Sequence, residues 1–415
     1  MEKRFKKTKN LLLFFSYYCI IYNGILKWDM YRQINVTKGM FDIMNKNILM
    51  LLMKLDIGGA ETHVVELSKE LKKRGFNIVI ASAGGVYTKE LEEAGIKHYE
   101  VPLQNKHPKN VVKAFGLIKT IIEEEKIDIV HSHARIPSFI AGKLHKKMKF
   151  PFVTTAHWVF TTKYGLKYIT NWGQKTIAVS EDIKKYLMDN YKIPEEDITV
   201  TINGIDTDKF SPDTDVSGIE SELGIKEDDN TIVYVSRMDE DRSLAAHMLI
   251  NVIPKLDGIV ENLKAVIVGG GNDFENVKMD AERVNEELGR EAVVLTGART
   301  DINRLVAPAK LFVGVSRAAL EAMAAGKPTI IAGNEGYIGL FDEDKAELAY
   351  STNFCCRGCD ATNEETLAQD IGNFFGMWDE DKEKLSEYSR EFVKARYSVK
   401  RMADDAQKVY ESVLK

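Results

Sequence analysis

The sequence predicts an α/β protein of two facing Rossmann-like domains with a cleft between them, and three observations carry this. From residue 47 onward, short apolar runs alternate with amphipathic stretches, the pattern of a parallel sheet wrapped by helices. The alternation comes in two series, separated by residues 205–229, which hold six Asp, two Gly and a Pro and no periodic element. The length, 415 residues with 44% hydrophobic side chains, fits two or three domains at roughly 150 residues each.

The first series supplies strands at 47–53, 77–83, 128–133, 152–157, 176–180 and 198–203. Between them, 60–74 reads as a helix because Val64, Leu67 and Leu71 repeat at helical spacing. Stretches 109–125 and 181–190 behave likewise. The second series supplies strands at 231–237, 264–271, 292–297, 310–315 and 328–333, and 362–415 reads as helical throughout. The expected domains are 44–204 and 230–395, with 205–229 as linker and 396–415 as a C-terminal helix able to pack back on the first domain. Ligands of such sheets bind beyond the C-terminal strand ends, so the cleft is the expected site.

Charge is unevenly shared. Residues 1–200 hold 32 basic and 21 acidic side chains, a net of +11, and the remaining 25 basic and 41 acidic give −16 over 201–415. The overall balance of −5 argues against nucleic acid as a partner. Either the segregation is chance, or the basic half faces an anionic membrane or phosphorylated lipid. The four cysteines, Cys19, Cys355, Cys356 and Cys359, make neither a disulfide framework nor a four-ligand zinc site, so reduced thiols are expected. No metal site is expected elsewhere.

The first strand leads into Gly58 and Gly59 and then a helix starting near Ala60, where backbone N–H groups can meet a phosphate or sugar. A Gly-Gly turn is also ordinary punctuation between a strand and a helix. The run Gly269-Gly270-Gly271 carries the same two readings. Neither is a GxGxxG fingerprint of dinucleotide enzymes.

Longer segments are more specific. GGAETHVVELSKELKKRG, TIAVSEDIKKYL, NGIDTDKF, AVIVGGGNDFENV, VVLTGARTDI and EAMAAGKPTII occur in one fixed order. That series, over about residues 46–400, resembles glycosyltransferase family 4, retaining enzymes of the GT-B fold. The resemblance implies a nucleotide-sugar donor held by the C-terminal domain and an acceptor site on the N-terminal domain. In SRMDEDR, Arg237 and Arg242 stand where the family's GRLxxxK motif places cations against the donor diphosphate. Two cations at a strand end suit a leaving diphosphate, although Asp239, Glu240 and Asp241 could also occupy them at the surface. Glu321 in EAMAAGKP matches the second glutamate of the family's Glu-x7-Glu pair, which holds the ribose hydroxyls. The first should lie eight residues earlier, where this chain has Val313. Ser316 is expected to cap the following helix toward the diphosphate, and Arg317 either adds charge there or is solvated. His157 matches the family's histidine near the transferred sugar, and His133 ends the neighbouring strand. Both are expected to touch sugar or phosphate rather than act as nucleophiles. Trp158 either stacks on an acceptor or packs in its loop.

Retaining transfer in this family needs no carboxylate pair and no DxD metal motif, so no cofactor and no essential metal are expected. The expected activity moves a hexose from a nucleotide diphosphate sugar, UDP foremost, to a cell-envelope polysaccharide or lipid-linked glycan. Two alternatives stand beside it: a nucleotide-sugar 2-epimerase of the same fold, and a catalytically silent nucleotide-sugar-binding protein, which the missing glutamate keeps open. The opening MEKRFKKTKN and the apolar LLLFFSYYCIIYNGIL are short for a bilayer span. Residues 1–43 are read as an inner-leaflet anchor or as a misread start preceding Met44. The expected location is cytoplasmic, peripheral on the inner face of the cell membrane.

Overall fold

The computed structural model describes residues 45–415; the extension 1–43, with its two readings, lies outside the described residues. The first domain holds β1 (Asn47–Leu51), β2 (Asn77–Ser82), β3 (Lys97–Glu100), β4 (Ile129–Ser132), β5 (Phe152–Ala156), β6 (Lys175–Ala178) and β7 (Ile198–Val200). They form one all-parallel sheet in the order β3-β2-β1-β4-β5-β6-β7. The second domain holds β8 (Asn230–Val235), β9 (Leu263–Val268), β10 (Val293–Gly297), β11 (Leu311–Gly314), β12 (Thr329–Gly333) and β13 (Gly336–Leu340). Their order is β10-β9-β8-β11-β12-β13, parallel except for the last pair. Both sheets are doubly wound, and each reverses direction beside its first strand, between β1 and β4 and between β8 and β11. A crevice opens at such a switch point.

Burial explains the strand composition. Ile48, Leu49, Met50 and Leu51 of β1 are all fully buried, because helices cover both faces of a parallel sheet and leave no polar side to alternate with. Two strands escaped the sequence reading. β3 reads KHYE, a half-exposed edge strand without an apolar run. β13 reads GYIGL and returns from β12 through a tight turn at Asn334 and Glu335. The C-terminal stretch is three helices, Glu364–Phe375, Asp379–Arg396 and Val399–Leu414. Ser398 starts the last of them, its hydroxyl accepting from the Arg401 N–H.

Two chain crossings join the domains, and they lie against each other. The Ile205 N–H donates to the Tyr397 carbonyl at 2.7 Å, and the Val399 N–H donates to the Ile205 carbonyl at 2.9 Å. A Cβ on Gly204 would stand 2.7 Å from the Val399 Cα, so only glycine lets the two crossings meet this closely. The final helix then packs on the N-terminal domain, where the Arg74 guanidinium meets Asp404 at 2.6 Å and the Lys400 carbonyl at 2.7 Å. Residues 205–229 carry one short helix, Ile219–Glu222. One apolar cluster runs through the crossings, from Ile48 and Val65 through Ile205, Phe210 and Met402 to Val233 and Met323. The domains are therefore fixed at their hinge side and face each other at their strand ends.

Candidate functional site

The N-terminal wall of the cleft is made of histidines. His133 directly follows β4 and His157 directly follows β5, so strand register brings their rings together, with His133 Nδ1 and His157 Nε2 sharing a hydrogen bond of 3.1 Å. His63, on the helix Gly59–Lys73, stands edge-on to His157 with ring centroids 4.7 Å apart. Its Nδ1–H donates to the side-chain oxygen of Asn203 at 3.0 Å. Behind them, His131 within β4 is saturated by the Tyr410 hydroxyl at 2.8 Å and the Thr155 hydroxyl at 2.7 Å. Burial disfavours the charged imidazolium throughout. It lowers His63 to about 4 and His131 to about 3, and holds His133 and His157 well below the ordinary value, with neighbouring histidines adding to the effect. At neutral pH this wall presents uncharged imidazoles, which hydrogen-bond hydroxyls without carrying charge.

Gly58 precedes that helix in an extended conformation, and Gly59 is its first residue. A Cβ at Gly59 would meet nothing within 4 Å, whereas one at Gly58 would overlap the Glu61 carboxylate, which folds back over the helix start. The Thr62 hydroxyl donates to the Gly58 carbonyl at 2.9 Å and is 3.1 Å from the Tyr87 hydroxyl. Burial raises Glu61, and Arg237 of the other domain is close enough to oppose this.

The C-terminal wall is charged. Arg237 follows β8, 54% exposed, with Asp239 as its ion-pair partner at 3.6 Å; Arg242 is 48% exposed, with Asp241 at 3.8 Å. Exposed pairs this long contribute little, so both guanidiniums keep donors free. Glycines of the GGG run are packed against this loop: a Cβ on Gly269 would overlap the Ser236 carbonyl, and one on Gly271 the Met238 carbonyl. That run therefore supports the arginine loop from behind.

Glu321 lies on the helix Ser316–Ala324 and is buried. Desolvation raises its pKa, while Arg317 and Lys209 work in the opposite direction. Arg317 is not solvated. Its Nε stands 2.8 Å from Glu321 Oε1, and its Nη1 donates to the Gly204 carbonyl at 3.2 Å, so it ties that helix to the hinge. Ser316 does not cap that helix. Val315 holds the N-cap position without a side-chain cap, and Ser316 has a φ of 55° with its N–H given to the Phe354 carbonyl at 2.7 Å. Val313 is inside the sheet, fully buried between Tyr234 and Ile330. β11 passes into the helix through Val315 alone, so the position eight residues before Glu321 cannot reach the cleft.

Trp158 is 64% exposed and does not pack in its loop. Sequence reasoning missed His63 and Asn203. His63 sits inside the quoted GGAETHVVEL segment, four residues from Gly59, and that spacing puts it one turn into the helix on the cleft side. Among the described residues no helix is long and apolar enough to cross a membrane, and Cys355, Cys356 and Cys359 are free thiols.

The family profile described as Glycosyltransferase Family 4 matches residues 57–209, and that described as Glycosyl transferases group 1 matches residues 229–356. An uncharacterized glycosyltransferase of Methanocaldococcus jannaschii is 24% identical over 326 residues, 69% of this chain and 80% of that protein. A glycosyltransferase structure from Rickettsia africae superposes with a TM-score of 0.71 at 24% identity, covering 89% of this chain and 99% of that one. The Anabaena protein HepE in complex with UDP gives 0.64 at 18% identity, covering 89% and 100%. Both similarities speak to the fold. With both halves matched in order and two doubly wound domains facing across a cleft, the chain belongs to the family 4, group 1 glycosyltransferases and is a glycosyltransferase of GT-B fold.

Proposed function

We propose that this enzyme moves a hexose, with retention, from a nucleotide diphosphate sugar to a cell-envelope polysaccharide or lipid-linked glycan at the inner face of the membrane, without an essential metal. The observation that carries the donor assignment is the pair of exposed, loosely paired arginines after β8, of which Arg237 lies near Glu61 at the start of the helix Gly59–Lys73. Arg237 and Arg242 neutralise the charge that grows on the leaving diphosphate, and the Glu61 carboxylate over the helix start swings aside for the donor to reach the N–H groups there. Glu321 holds the ribose hydroxyls, which requires Arg317 to share it. His133 and His157 hydrogen-bond the sugar as neutral groups, since their burial keeps the imidazoles uncharged at neutral pH. In this scheme the departing phosphate accepts the acceptor's proton.

UDP as the nucleotide is supported by the bound UDP in the HepE structure, and the lipid-side acceptor by the net positive N-terminal half. The test is binding and slow hydrolysis of UDP-, GDP- and ADP-sugars by the full chain. Selective binding with release of one nucleotide is expected. An absence of binding across the panel overturns the donor assignment, and release of a C2-inverted free sugar makes the enzyme an epimerase.

A further inference from the structure

The histidines of the N-terminal wall fall into two kinds. His131 spends both ring nitrogens on Tyr410 and Thr155. His63, His133 and His157 each bring a ring nitrogen to within 4.8 Å of the other two. They come from three separate elements, a helix and the ends of two adjacent strands, so no single turn motif accounts for their convergence.

The spacing has a chemical reading. In a tetrahedral site with zinc–nitrogen bonds of about 2.0–2.1 Å, two ligand nitrogens stand roughly 3.3 Å apart. His133 Nδ1 and His157 Nε2 are 3.1 Å apart, close to the spacing of two ligands on one ion. His63 gives its Nδ1–H to the Asn203 oxygen, which leaves its Nε2 lone pair free. An outer oxygen on the far nitrogen is the arrangement that orients metal-bound imidazoles.

We propose that His63, His133 and His157 form a three-imidazole site for a borderline divalent transition ion, zinc foremost, with the fourth position open. An all-nitrogen donor set suits zinc, cobalt or nickel and disfavours magnesium, calcium and manganese, which require oxygen. His133 and His157 are also the proposed sugar contacts. An ion there excludes the sugar, so zinc inhibits by competing with the donor and takes no part in transfer. The inhibition rests on the donor reading above; the ion site does not.

The experiment uses the full chain, stripped with a chelator and titrated with cobalt(II), followed by displacement with zinc. One equivalent of cobalt is expected, with the intense visible bands of a tetrahedral ion, lost when zinc is added. His63→Gln, His133→Gln and His157→Gln each weaken zinc at least tenfold. Asn203→Ala weakens it roughly tenfold or more, as loss of an outer partner does. His145→Gln, whose ring bonds the Phe150 carbonyl away from the cleft, leaves it unchanged. Thermal melting of each variant checks that it is folded. A pale octahedral spectrum, an absence of stoichiometric binding, or binding that survives all three substitutions overturns the site. UDP binding is measured alongside: UDP bound without zinc overturns the ion site alone, and zinc bound without UDP overturns the donor reading alone. Zinc that binds yet leaves UDP-sugar affinity unchanged overturns the competition.

Discussion

The two walls of the cleft solve different problems with different materials. On the N-terminal wall, imidazoles are buried or, for His157, half-buried, and they are neutral and locked by one another and by Asn203. On the C-terminal wall, Arg237 and Arg242 are about half exposed and loosely paired. A buried neutral wall recognises hydroxyl geometry without favouring charge. A wet cationic wall favours an anion and tolerates its departure, because solvent can replace it. Under the proposed donor scheme, the division assigns a nucleotide sugar's two halves to the two walls. Under the same scheme the hinge has a role, since neither wall alone would bind the whole donor.

The comparison can be broken at several points. Val313→Glu has the largest expected effect. It places an unpaired carboxylate inside β11 among Ile232, Ile330 and Tyr234, at a cost of about 4 kcal/mol or more. Loss of soluble protein or a collapsed melting temperature is expected, and a folded variant with improved donor binding overturns the placement of this strand. Arg237→Ala comes next. Removing a cation from the developing diphosphate charge should lower kcat about 100-fold or more with the melting temperature unchanged, as steady-state kinetics and calorimetry would read.

Smaller effects test the N-terminal wall. Tyr410→Phe removes the hydroxyl from His131 Nδ1 and should cost about 1–2 kcal/mol in denaturant unfolding, because the C-terminal helix is part of that wall. The smallest is a pH slope. His63 is lowered to about 4 in the folded protein from 6.5, so below 6.5 the unfolded chain takes up the proton first. This contribution is full above pH 6.5 and is lost as pH falls toward 4. His63→Asn should reduce the slope of unfolding free energy over that window by one proton's share, the other lowered histidines keeping the rest; an unchanged slope contradicts the neutral assignment.

How much of this was legible differs between fold and site. Most parallel strands announced themselves as apolar runs because both faces are covered, whereas KHYE and GYIGL lie at sheet edges and carry no such run. Arg237, Glu321 and His157 could be picked out by resemblance because each sits at a strand end or on the helix after it. His63 could not, since a histidine on an amphipathic helix looks like any half-buried polar residue until Asn203 arrives from 140 positions away. The vacancy at Val313 was visible as a departure from the family, but its meaning depended on the loop length between β11 and the helix. Only the structure shows that Val315 alone spans it and that Arg317 and Glu321 pair behind it.

The division of labour is tested most directly by calorimetric titration of UDP and of the preferred UDP-sugar into three proteins: the parent chain, Arg237→Ala and His157→Gln. If the walls divide as described, Arg237→Ala weakens both ligands by the same factor, about tenfold or more. His157→Gln leaves UDP within twofold and changes the affinity for the UDP-sugar alone. A His157→Gln variant that loses UDP as strongly as the UDP-sugar, or an Arg237→Ala variant that binds UDP as the parent does, contradicts the account.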